Sequence, residues 1–120
     1  MRLIIILISI SLTTTIFAQK KPLIESREEV ETLAKKEFDL SMTGPEGELY
    51  LFGVANNLKG EYIFKVTLGD RGKVTTVFVI SREGDDIPSQ NKLKDAVKTF
   101  RFSFKLPKNK DYSFNHKFKF

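Results

Sequence analysis

Residues 100–120 read Phe-Arg-Phe-Ser-Phe-Lys-Leu-Pro-Lys-Asn-Lys-Asp-Tyr-Ser-Phe-Asn-His-Lys-Phe-Lys-Phe. Phe100, Phe102, Phe104 and Leu106 alternate with Arg101, Ser103 and Lys105. After a polar break, Tyr112, Phe114, His116, Phe118 and Phe120 alternate with Ser113, Asn115, Lys117 and Lys119. Period two is the side-chain period of a half-buried strand, so the stretch predicts two terminal strands, each with one apolar and one basic face.

Upstream, the spacing of Leu93, Ala96, Val97 and Phe100 predicts a helix over 89–99. Before it, Tyr62, Phe64, Val66 and Leu68 alternate with polar residues and predict a strand over 61–68. Gly69-Asp70-Arg71-Gly72 reads as a hairpin loop. The β-branched run 73–81 is its partner strand. Its phase is open: Val74, Phe78 and Ile80 face the core, or Val77 and Val79 do after a bulge. Glu48 to Val54 reads as a further strand. Ser26-Arg27-Glu28-Glu29 fits a capping box opening a helix over 27–38, with Val30, Leu33, Ala34 and Phe38 as its inward stripe. The expected fold class is α+β: an antiparallel sheet of about four to five strands with two helices packed on one face.

The N-terminal stretch belongs to a different category. Arg2, the Leu/Ile run to Leu12, the threonines 13–15 and Ile16-Phe17-Ala18 outline a signal peptide over 1–18, with cleavage near Ala18. The protein is therefore expected to be exported, to the periplasm or beyond the cell. Residues 19–120 have the size of one domain. With no cysteine, its stability rests on packing without disulfides, and thiol catalysis and thiolate metal sites are excluded.

The net charge of +5 is unevenly spread. Residues 91–120 carry nine Lys or Arg against two Asp, while residues 19–90 carry ten against thirteen acidic residues. Lysines on the polar face of a strand also deter edge-to-edge aggregation. The same face offers a surface to an acidic polymer or lipid headgroup. Peripheral membrane contact is one form of that; nucleic acid is not an expected partner for an exported chain.

Signals for catalysis are sparse. His116 is the single histidine and lies in phase with Phe114 and Phe118. No HExxH pair or EF-hand pattern occurs, so no metal or cofactor is expected and the chain is not read as an enzyme.

From Gly60 to Phe120 the chain resembles the C-terminal domain of the TonB family. The likeness rests on Gly60-Glu61-Tyr62-Ile63-Phe64-Lys65-Val66, on the turn and Val-rich strand from Asp70 to Val79, on Phe100-Arg101-Phe102 with Pro107, and on the terminal Phe118-Lys119-Phe120. Residues 26–54 then form a helix-strand extension absent from that pattern. The resemblance implies a module to which a partner peptide adds as a strand at a sheet edge. It does not imply energy transduction, which needs a retained anchor and a Pro-rich linker; the four prolines here are not clustered. Carried onto this sequence, the partner-binding candidates are Ser113, Asn115, Lys117 and Lys119 on the last strand. Arg101 and Lys105 join them as basic contacts. Mass spectrometry of the secreted chain is expected to find Gln19 as its first residue; an intact Met1 would contradict cleavage.

Overall fold

A computed structural model describes residues 21–120. The signal-peptide reading, over 1–18, lies outside the described residues. In chain order the elements are α1 (Arg27–Ser41), α2 (Glu48–Ala55), β1 (Glu61–Gly69), β2 (Lys73–Glu83), α3 (Ile87–Lys98) and β3 (Tyr112–Lys119). The strands form one antiparallel sheet in the order β2-β1-β3. Among the described residues the fold is α+β, but the sheet has three strands rather than four to five, and there are three helices rather than two. Among the described residues no helix is long and apolar enough to cross a membrane.

Two expected strands are not strands. Glu48–Ala55 is helical, so the expected helix-strand extension is a pair of helices. A short apolar run has no decisive period, because buried strands and buried helices share it. Local contacts decide here. The Ser41 hydroxyl accepts the Leu49 N–H at 2.9 Å. Leu49 and Gly53, four residues apart, form the buried side of the helix, and a Cβ on Gly53 would strike the Phe120 ring.

Residues 100–106 keep the expected alternation without pairing in the sheet. Phe100, Phe102, Phe104 and Leu106 are buried, while Arg101 and Ser103 are exposed. Their backbone groups bond elsewhere. Ser103 donates its N–H to Glu37 of α1 at 2.7 Å, Lys105 donates to the Pro22 carbonyl at 3.0 Å, and Leu106 donates to the Arg71 carbonyl at 3.2 Å. Ile24 returns a bond to the Lys105 carbonyl at 2.9 Å. The alternation therefore reports burial of one side of an extended segment, not membership of a sheet.

The remaining elements follow their local chemistry. Ser26 caps α1 by accepting from the Glu29 N–H at 3.4 Å. Asp86 caps α3 by accepting from the Ser89 N–H at 2.8 Å. That bond and the Ser89 hydroxyl hold the Asp86 carboxyl below its ordinary pKa. In the hairpin loop, Asp70, Arg71 and Gly72 all take positive φ (43°, 67° and 111°). Gly69 is instead the last residue of β1.

The phase of β2 resolves to its bulged alternative. Register shifts opposite Ile63/Phe64 and Thr67/Leu68 leave Ile80 and Thr75 as extra residues. Val77 is then buried and Val79 half-buried, whereas Phe78 and Ile80 are 64% and 51% exposed on the outer side.

All three helices contribute to a core on one side of the sheet. α1 packs over β3 and α3 over β2, with residues 100–106 contributing their rings. Phe38 of α1 is the hub. Its ring centroid lies 4.8 Å from Phe100, 5.0 Å from Phe102, 5.1 Å from Phe118, 5.2 Å from His116 and 6.2 Å from Phe114. Such pairs add to stability beyond area burial. A second tie is polar. Tyr62, fully buried in β1, donates its hydroxyl to Asp85 ahead of α3. Burial, then the Asp85 bond and charge, push the Tyr62 phenol well above its ordinary pKa. Burial alone would raise Asp85. Bonds from Tyr62, the Asp86 and Lys59 amides and Ser89 together outweigh it and hold that carboxyl low.

His116 is buried beneath α1, with Nε2 3.2 Å from the Asp39 carboxylate in a geometry that falls short of a hydrogen bond. Burial lowers its pKa from 6.5; Asp39 opposes the shift and Lys35 adds to it. A histidine whose folded pKa is depressed contributes stability above its unfolded pKa of about 6.5, lost as pH falls toward and through the folded value. The melting temperature should therefore fall below about pH 6.5, and His116→Phe should flatten that fall. An unchanged pH profile in the variant would contradict the assignment. Phe38→Ala should cost about 3–5 kcal/mol in urea unfolding; a loss below about 1 kcal/mol would show that the ring is not central.

Candidate functional site

The open part of the molecule begins where the core ends. Phe114, His116 and Phe118 point inward and are buried, and Asn115, Lys117 and Lys119 are exposed on the opposite side. Ser113, half-buried, shares that outer phase. Four sequence-predicted residues thus lie on one stripe of β3. Their neighbours on β1 are fixed by register: Ser113 faces Thr67, Asn115 faces Lys65, Lys117 faces Ile63 and Lys119 faces Glu61.

The register also tells where their backbone groups point. In an antiparallel pair, hydrogen-bonded and non-bonded positions alternate. Phe120 donates its N–H to the Gly60 carbonyl at 2.9 Å, so the position beyond Lys119/Glu61 is a bonded one. The pairing runs back without a shift to Tyr112/Leu68. Bonded positions on β3 are therefore Phe118, His116, Phe114 and Tyr112. At Ser113, Asn115, Lys117 and Lys119 the N–H and C=O turn away from β1, toward the free edge. Among the described residues β3 has no second strand beside it.

The two sheet edges are unlike. β2 is interrupted by bulges at Thr75 and Ile80, which twist an edge and end regular pairing. β3 is regular over eight positions. Its lysines are not free sentries: Lys117 Nζ lies 3.2 Å and Lys119 Nζ 3.8 Å from the two oxygens of Glu61. Both ammonium groups are drawn inward over the sheet rather than off its edge. The Ser113 and Thr67 hydroxyls share a hydrogen bond at 2.7 Å, which holds Ser113 in the same way. A shallow depression of about 460 Å³ lies here, with Asn115, Lys65 and Ile80 among its lining and Arg27 of α1 at its rim.

Arg101 and Lys105 are not part of this edge. Arg101 lines a separate concavity at the turn between β1 and β2. Lys105 is half-buried, and its backbone is bridged to Leu23. Their grouping with the β3 lysines reflected closeness in sequence, not in space. Two apolar residues, Phe78 and Ile80, are exposed on the outer face, as the bulged one of the two phases left open by the sequence requires. Ile80 is a bulge residue and Phe78 sits opposite Lys65. The β-branched run itself carried no sign of which phase would be outward.

The arrangement offers directed backbone donors and acceptors with amphipathic flanks. Among the described residues no group of three His, Cys, Asp or Glu side chains could hold a metal ion. No protein-family model, curated protein or solved structure matches the chain.

Because Glu61 and both lysines remain partly solvated, their pairs add little to folding. Glu61→Gln is expected to cost less than about 1 kcal/mol in urea unfolding. A larger loss would make this cluster a structural element rather than an adjustable part of the edge.

Proposed function

We propose that this chain is a small exported binding module that takes an extended segment of a protein partner as a fourth strand beside β3. The observation that carries the reading is the outward row of backbone groups at Ser113, Asn115, Lys117 and Lys119, regular in register and without a strand beside it. Strand addition draws affinity from such main-chain bonds and specificity from the alternate side chains. Here those side chains would meet Asn115, Lys65, Ile80 and the polar atoms around Glu61.

Three further points support it. The opposite edge is bulged, as edges closed to pairing are. The lysines that would guard β3 are held by Glu61. The likeness of residues 60–120 to the TonB C-terminal domain family implies the same mode of binding, and the scattered prolines argue against a force-bearing role. No catalytic role is assigned: His116 is packed against Phe38 and Phe118, away from solvent.

Proline at Asn115 is the discriminating substitution. It removes an outward N–H and leaves every bond to β1 in place, a position where edge strands tolerate proline. Cross-linking in the native cell should recover a protein partner from wild type. Asn115→Pro should retain a melting temperature within a few degrees of wild type and lose that partner. Asn115→Ala should keep it. If Ser113→Pro and Asn115→Pro both fold and hold every partner of the wild type, edge pairing is wrong.

A further inference from the structure

We propose that the concavity between the β1–β2 turn and the end of α3 binds a compact anion bearing two or more phosphate or sulfate charges. The inference is independent of the β3 edge. The concavity has a volume of about 390 Å³, at the small end of the roughly 300–1,000 Å³ typical of ligand sites. Lys21, Arg71, Lys73, Lys98 and Arg101 line it, with Asp70 as the single carboxylate. These residues come from three separate stretches of chain, so only folding brings the charges together.

Their pairing is incomplete. Asp70 lies 3.9 Å from Lys73, with both side chains well exposed, which makes a weak pair. Among the described residues, Lys21, Arg71, Lys98 and Arg101 have no carboxylate oxygen within 4.0 Å. Lys98 also complements the carbonyl end of α3. No such account covers the two arginines. Arg71 holds φ at 67°, a conformation better suited to Gly or Asn, so the turn gains nothing from arginine there. Its carbonyl accepts the Leu106 N–H at 3.2 Å, fixing its backbone against the segment that carries Arg101.

The surroundings strengthen the field. Phe100, Phe102 and Phe104 form the buried wall beneath the cations. A cleft dominated by one sign of charge, over a low-dielectric wall, concentrates counter-ions. Guanidinium groups match the oxygens of phosphate and sulfate with paired N–H donors. Two arginines with flanking lysines suit more than one such charge. The small volume of the concavity favours a compact ligand over an extended polymer.

The test is an NMR titration of the full secreted chain with pyrophosphate and, separately, with a disulfated hexose. Amides of Gly69–Val74 and Lys98–Phe102 should shift, with affinity falling as salt is raised from about 0.1 M toward 1 M. The exposed pair Lys98→Gln with Arg101→Gln should weaken binding about tenfold or more, since each removes a charge-assisted contact. Lys117→Gln with Lys119→Gln, on the β3 stripe, should leave it within about twofold. Binding of pyrophosphate assigns the site to phosphate, and binding of the sugar assigns it to sulfate; either supports the proposal. Absence of shifts with both probes, or equal loss in the Lys117/Lys119 control, overturns it.

Discussion

The ring of Phe38 is the contact on which the rest of the molecule depends. It is delivered by α1, touches Phe100 and Phe102 on one side and meets Phe114, His116 and Phe118 of β3 on the other. One residue thereby joins an N-terminal helix, an irregular aromatic segment and the last strand. With only three strands, the sheet cannot bury a face by itself; it needs this aromatic layer. The consequence for function is a division of labour along β3. Its inward side chains are consumed by the core, while its outer stripe and edge backbone stay available. α1 is accordingly integral to the domain and not an appendage to it.

Much of this architecture was legible in the sequence. The hairpin, α3 and β3 were read within a few residues, because their periodicity, glycines and capping side chains all agree. The errors share a physical cause. Glu48–Ala55 is apolar on nearly every residue, so its period was uninformative until Ser41 and Phe120 supplied tertiary partners. Residues 100–106 have strand periodicity, yet side-chain alternation says nothing about which group bonds each N–H. Glu37, Pro22 and Arg71 take those roles from far along the chain. The stripe Ser113, Asn115, Lys117 and Lys119 was readable because it depends on period two alone. The separation of Arg101 and Lys105 from it was not, since that depends on a chain path that only the tertiary contacts define.

Charge illustrates the same point. The basic excess of residues 91–120 looks like one feature in sequence. In space it divides. Lys117 and Lys119 are paired with Glu61 and quieted. Lys98 and Arg101 instead join Lys21, Arg71 and Lys73, cations from the otherwise acidic part of the chain, around a concavity with little compensation. The outward backbone edge of β3 and the basic concavity are thus two separate surfaces of one small fold.

The central claim is that β3 presents a regular backbone edge with no strand beside it among the described residues, while its inner face is locked by Phe38. Residue-resolved amide hydrogen exchange on the free protein tests it most directly. The account predicts alternation along β3: Phe114, His116 and Phe118, bonded to β1, exchange slowly, while Ser113, Asn115 and Lys117 between them exchange fast. Uniform protection across Ser113–Phe118 would mean that the edge is already covered, and would contradict the account.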